Sequence, residues 1–233
     1  MQEHTDAYRY ETHLHTSITS ACSRFTPEEI VDKYSRLGYA GIFVTDHFLN
    51  GNTTVPRDLS WERRVTRFCA GYRLAKKAAE GKFDVFFGFE YSYKGTDFLV
   101  YGLSEEWLLA HPEIMEMRVT QFAPFARSEG ALVVQAHPYR EANYIDHIRL
   151  FPSVVDGVEV FNATMHESTN RLAEILANAY GLKMTAGSDI HGKGQETLGG
   201  VAFREKIKSE RDFIDKIKRG EGSIFTLTDK GVL

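Results

Sequence analysis

Two cysteines in 233 residues are too few for a disulfide framework, which removes the small, bridge-stapled secreted scaffolds. No apolar run is long enough to span a bilayer, and the N-terminus shows no leader pattern, so a reducing, cytoplasmic home without a membrane partner is expected. Net basic charge is missing as well: 28 Lys and Arg stand against 32 Asp and Glu, a formal charge of -4. No global field therefore attracts nucleic acid, although a local basic pocket for phosphate is compatible with that balance. Biased linkers, repeats and low-complexity tracts are absent. The length suits one compact unit, so a single domain over residues 1–233 is expected. Nothing in the pattern indicates an oligomeric state.

What is present is an alternation of strand and helix signals. Tyr8 to Leu14 reads as a strand. Thr26-Pro27-Glu28-Glu29 then places an N-cap, a proline at the first helical position and acids in the first turn. Ile30, Val31, Tyr34 and Leu37 recur at helical spacing before Gly38. Further strands are expected at Gly41 to Thr45, Phe83 to Phe89, Phe98 to Tyr101, Leu132 to Ala136, Val154 to Phe161, Lys183 to Gly187 and around Ile224 to Thr226. Helices are expected over Trp61 to Glu80, in broken form over 105 to 129, over Thr169 to Tyr180 and near Glu210 to Arg219. Phe48 to Ser60 is a polar loop long enough to cover a site. About seven β-α units predict an α/β fold closed into one barrel.

The histidines fall where those strands end. His13 and His15 form H-x-H, Asp46-His47 a D-H, His137-Pro138 an H-P, and Asp189 with His191 a D-x-H. Residues two apart on a strand point to one side, so His13 and His15 share a side, as do Asp189 and His191. Glu90 ends an aromatic strand, where an unpaired carboxylate carries a large desolvation cost. It pairs with an arginine or lysine there, or it bridges two cations. A barrel of β-α units gathers strand ends at one face. Imidazoles and carboxylates gathered there form a site for two or three divalent metals, and metal-assisted hydrolysis is the chemistry such a site supports.

In this order the motifs His13-Leu14-His15-Thr16, Thr45-Asp46-His47, Gly88-Phe89-Glu90, Ala136-His137-Pro138 and Gly187-Ser188-Asp189-Ile190-His191, with Thr26-Pro27-Glu28-Glu29 at the first helix, resemble the PHP (polymerase and histidinol phosphatase) family of metal-dependent phosphoesterases. The resemblance implies a distorted (β/α)7 barrel and a cluster of two or three Fe, Mn or Zn ions. One ion would fall to His13, His15, Glu90 and Asp189, with Glu90 bridging. A second would fall to Glu90, His137 and Asp97, where the family often has histidine. A third would take His47 and His191. Thr19, Ser20, Ala21 and Cys22 stand where three-metal members commonly carry an additional histidine or aspartate. The implied activity is hydrolysis of a small phosphate monoester by a metal-activated hydroxide. A nuclease or nucleotide-trimming phosphodiesterase, a non-catalytic metal-binding module and an amidohydrolase-type enzyme are the competing readings.

Two further tasks need side chains. Arg140 is the first choice for clamping phosphate oxygens, followed by Arg24 and Lys193, because planar guanidinium donors suit them best. His191 or His166 is the expected proton donor to the leaving group. Tyr91 and Tyr93 either shape a leaving-group pocket, nucleotide-like substrates included, or pack in the core. Cys22 is either a thiolate near the site or a half-buried free thiol. His4, His111 and His147 match no pattern and are expected to be surface or packing residues.

Overall fold

The computed structural model describes residues 7–228; His4 lies outside them. Nine strands form one mixed sheet: β1 (Tyr8–Glu11), β2 (Gly41–Val44), β3 (Asp84–Tyr93), β4 (Thr96–Tyr101), β5 (Leu132–Gln135), β6 (Gly157–Asn162), β7 (Lys183–Gly187), β8 (Thr197–Phe203) and β9 (Ser223–Thr228). Their order is β7-β6-β5-β4-β3-β2-β1-β8-β9. The sheet curls until its strand ends nearly meet. Just past β1 and β7, Leu14 and Ile190 form a parallel bridge, and the Asp189 amide donates to the His13 carbonyl at 2.8 Å. This near-closure sets the first histidine pair beside the last aspartate, 174 residues later for the bond from Thr12 Oγ1 to the Ala186 carbonyl.

The barrel departs from a pure β/α alternation at two places. β3 and β4 form an antiparallel hairpin that turns through Lys94 and Gly95, both in the left-handed region at φ 51° and 77°. Glu90 therefore does not end its strand. It lies inside a long one, at the point where pairing with β2 stops and the hairpin continues. The second departure is β8, antiparallel to both β1 and β9. Sequence reading finds no strand there because Gly199 and Gly200 look like breakers. Both glycines instead answer to close approach: a Cβ on Gly200 would run into the Tyr10 carbonyl, and one on Gly199 would lie 2.7 Å from the Phe161 ring.

The helices follow their caps. In α1 (Pro27–Arg36) Thr26 and Glu29 make a reciprocal capping box around Pro27, which satisfies two otherwise unpaired amides. The helix expected over Trp61 to Glu80 is two, α2 (Trp61–Phe68) and α3 (Ala70–Ala78), divided at Cys69 where ψ is 0°. α4 (Glu105–Ala110) and α5 (Val119–Ser128) flank a 3-10 turn at Pro112–Met115. α6 (Glu167–Tyr180) ends at Gly181 in the left-handed conformation, and α7 (Glu210–Arg219) has the expected bounds. Alternate strand positions Tyr10, Phe43, Phe86, Leu99, Tyr101, Leu132 and Val134 form one core cluster, covered by Phe213, Ile214 and Ile217 of α7. Among the described residues no helix is long and apolar enough to cross a membrane.

Candidate metal centre

The strand ends deliver eight ligand-type side chains to one place. Glu90 is the hub. Its Oε1 lies 3.3 Å from His13 Nε2 and 3.3 Å from His137 Nε2, while its Oε2 lies 3.6 Å from His15 Nε2 and 2.5 Å from His47 Nδ1. Asp189 Oδ1 closes the ring at 3.1 Å from His15 Nε2, 3.5 Å from His13 Nε2 and 3.4 Å from His191 Nδ1. Asp97 Oδ2 approaches His137 Nε2 at 4.0 Å. Four overlapping sets have ligand atoms within 4.8 Å of one another: His13, His15 and Glu90; His13, His137 and Asp189; Glu90, Asp97 and His137; and His15, His47 and His191. All eight residues assigned to metal from the sequence are in these sets.

Buried partners fix which nitrogen of each imidazole faces inward. His13 Nδ1 donates to Glu159 Oε1 at 2.8 Å, leaving the Nε2 lone pair toward Glu90 and Asp189. His15 Nδ1 meets Ser20 Oγ at 3.2 Å. Ser20 in turn donates to Asp46 Oδ1 at 2.6 Å, and Asp46 also accepts from the Thr16 amide and hydroxyl. Such outer carboxylates set tautomer and ring orientation in metal sites. Glu11 does comparable work on the backbone, accepting from the His13 amide, the Ser188 amide and hydroxyl, and the Tyr34 hydroxyl. It thereby ties the first motif to the last. Asn162 donates to both Glu159 and Asp189, at 2.9 and 3.2 Å. Two ligands have unusual backbones: His137 has φ 25° and Asp189 φ 49°.

A divalent cluster fits these residues. The buried polar atoms without a well-formed hydrogen bond include His13 Nε2, His15 Nε2, His47 Nδ1, Glu90 Oε2 and Asp189 Oδ1. Buried polar atoms without partners are costly, and here they converge and are all lone-pair donors. The charges agree. Burial opposes ionising Glu90, but His47 and His13 outweigh it and hold its pKa well below the carboxylate range. Burial likewise opposes charging His13, yet Glu159, Asp189 and Glu90 hold its pKa well above 6.5. His15 goes the other way: burial and then His47 depress it to about 3. Burial, followed by Glu90, raises Asp97.

The remaining sequence candidates separate. Arg140 is half-buried beyond His137; burial opposes its charge, but the field of Asp189, Tyr144, Glu90 and Asp97 raises its pKa, and its guanidinium lies 6.0 Å from the Tyr144 ring centre. Arg24, Lys193, His191 and Cys22 line a cavity of about 560 Å³ with Gly192 and Gly194, and Lys193 pairs with Glu29 at 2.6 Å. Burial pushes the Cys22 thiol up, but hydrogen bonds with the His191 and His47 rings bring it down to about 6. His166 caps α6, exposed, with Nδ1 on Ser168. Tyr91 is core: it stacks on Phe122 at 3.9 Å, and its hydroxyl is held by the Ile114 and Met117 carbonyls. Tyr93 sits edge-on to Phe151. His111 rests on Trp107, and His147 is exposed beside Asp146. Sequence reading did not single out Glu11, Ser20, Glu159 and Asn162. For Glu159 a signal existed, a carboxylate inside the apolar strand Gly157–Asn162.

Residues 167–221 match a family model described as PHP-associated. A two-domain protein from Bacteroides vulgatus containing a predicted PHP-like metal-dependent phosphoesterase superposes with a TM-score of 0.69 at 17% identity over 94% of this chain. The present chain spans 64% of that protein's length. A putative metal-dependent phosphoesterase from Bifidobacterium adolescentis superposes at 0.54 and 16% identity, covering 79% of this chain and 88% of its own. An amidohydrolase from Chromobacterium violaceum, solved with sulfate and no metal, gives 0.55 and 14% over the same shares, 79% and 88%. These likenesses show the fold. No curated protein matches the chain.

Proposed function

We propose that the chain is a PHP-type metal-dependent phosphoesterase acting on a small phosphate monoester, a reading supported by the PHP-associated match over residues 167–221 and by the likeness in fold. The observation that carries this reading is the Glu90 carboxylate. Each of its oxygens lies between imidazoles assigned to different ions, Oε1 between His13 and His137 and Oε2 between His15 and His47, so this one carboxylate reaches more than one ion position. His13, His15 and Asp189 would hold one ion with Glu90, and His137 and Asp97 a second. Divalent ions so held lower the pKa of water and offset charge developing on a phosphate.

The protein's own groups supply the rest. The Arg140 guanidinium, half-buried just beyond His137, would clamp non-bridging oxygens with planar donors. His191, half-buried beside Asp189, would donate a proton to the leaving oxygen. His166, on the following rim, is the next candidate. Acidic net charge disfavours a long polyanion as substrate.

The test is metal content by elemental analysis, paired with turnover of p-nitrophenyl phosphate and bis-p-nitrophenyl phosphate. Bound Fe, Mn or Zn with preference for the monoester is the expected result. Preference for the diester replaces the phosphatase reading with the phosphodiesterase one. A protein inactive on both after each metal is restored overturns the proposal.

A further inference from the structure

The barrel has a second end, away from the metal-type side chains. β8 runs antiparallel to β1, so its last residues return to where β1 begins. Arg9 of β1 stands opposite Ala202, and Ala202 opposite Ser223, the first residue of β9. His13 and His15 follow the other end of β1. At the far end these strand termini and the last turn of α7 enclose a cavity of about 920 Å³, against about 560 Å³ for the one that contains His191. Small-molecule sites have volumes of this order.

Its walls are basic in a chain of net charge -4. Arg9, Arg204, Lys216 and Arg219 line it against two acids, Glu205 and Glu221. Both acids are already engaged. The buried Lys216 ammonium lies 3.2 Å from Glu205 and 3.5 Å from Glu221, and Arg219 pairs with Glu221 at 2.5 Å. Among the described residues Arg9 and Arg204 have no acidic partner. Arg204 is exposed and Arg9 half-buried. The Arg9 guanidinium lies 5.6 Å from the Phe225 ring centre, a contact that holds the cation and leaves its N–H groups to hydrogen-bond. Phe225 and Ile224, the latter 37% exposed, supply an apolar wall beside it.

We propose that this cavity binds a small organic anion, its acidic head held by Arg9 and Arg204 and its apolar body laid against Phe225 and Ile224. Guanidinium forks present parallel N–H donors, which suit the paired oxygens of a carboxylate or a phosphoryl head. Lys216 and the acids it joins form the fixed rim of the site, because their charges already satisfy one another. The site stands apart from the metal centre and does not depend on it.

The probe is anilinonaphthalene sulfonate, an anionic head on an apolar body whose fluorescence rises on binding. It is titrated against chelated, metal-free full-length protein, so that no turnover intervenes, as wild type, Arg9→Ala, Arg9→Lys, Arg204→Ala and Arg140→Ala. Melting curves check that each variant is folded, and the exposed Arg204 keeps the test valid should Arg9→Ala fail to fold. The expected result is saturable binding in wild type, weakened roughly ten- to a hundredfold in Arg9→Ala and Arg204→Ala. Arg9→Lys should recover part of the loss, and Arg140→Ala should bind as wild type does. Phenyl phosphate and benzoate then compete for the site. The tighter competitor identifies the head group as phosphoryl or carboxylate, and displacement by neither overturns the proposal. So does the absence of saturable binding in wild type, or equal affinity in wild type and both alanine variants at Arg9 and Arg204. Loss in Arg140→Ala alone places the probe at the metal end and overturns it as well. Because no metal is present in the assay, each of these failures leaves the phosphoesterase reading standing.

Discussion

Glu159 accepts the Nδ1 proton of His13 at 2.8 Å, both side chains fully buried. Its other oxygen takes the His137 amide at 3.0 Å, so one carboxylate on β6 orients ligands from two other strand ends. Removing its charge in Glu159→Gln should weaken metal binding by roughly 10- to 100-fold, the usual effect of losing such an outer partner. Turnover should return with excess metal. Glu90→Gln should behave differently, losing turnover at every metal concentration. Chelator-competition titrations beside activity assays distinguish the two.

Arg140 should act on substrate rather than on metal. Losing a charged hydrogen-bond donor to an anion costs about 1.5–3 kcal/mol. Arg140→Ala should therefore raise KM for p-nitrophenyl phosphate by roughly ten- to a hundredfold, with metal content unchanged by elemental analysis. Arg140→Lys should recover part of the loss, since it restores the charge without the planar fork. Equal KM values in all three proteins would remove Arg140 from substrate binding.

Metal binding should strengthen as pH rises. In the metal-free protein burial opposes protonation of His13, His47, His137 and His191, but neighbouring carboxylates, and the Cys22 thiol for His47 and His191, keep their pKa values above 6.5. Ions must displace those protons, so affinity falls with decreasing pH and loading releases protons. Stability of the metal-free protein runs the opposite way. A raised histidine contributes fully below its unfolded pKa of about 6.5 and loses that contribution as pH rises through the folded value. Melting curves of chelated protein should therefore shift down from about pH 6 to about pH 8, and calorimetric titration in two buffers should count the released protons.

A glycine supports the same cluster. A Cβ on Gly187 would collide with His13 Cβ and stand 2.9 Å from Glu159 Oε1. Overpacking of this kind costs about 1–3 kcal/mol. Gly187→Ala should lower the urea midpoint and weaken metal binding together, whereas Gly194→Ala, with open space around it, should do neither.

Seven of the eight ligand-type side chains could be read from the chain because each ends or follows a local apolar run, whereas Asp97, near the start of β4, is implied only by the family resemblance. Local pattern also placed α1, through Thr26, Pro27 and Glu29, and α7. Partnerships across long separations escaped such reading. The Glu11 bonds to Ser188 and the Glu159 bond to His13 join residues 177 and 146 positions apart, and no periodicity encodes them. β8 was lost because Gly199 and Gly200 serve close packing against Tyr10 and Phe161, which looks like a turn signal in isolation. Tyr91 and Tyr93 left two readings open, and the stacking of Tyr91 on Phe122 decides for core packing at that position.

His137 and Asp189 hold left-handed backbones, a conformation that costs of order 1–3 kcal/mol at such a residue and persists only where surrounding structure enforces it. Here the enforcement comes from the chain itself, through the Glu159 carboxylate that accepts the His137 amide and the His13 carbonyl that accepts the Asp189 amide. With backbone bonds bracing the receptacle, loading is expected to need no folding of the chain. Melting transitions of chelated and loaded protein should share one steepness and differ in midpoint, which climbs with the logarithm of free ion concentration as mass action requires.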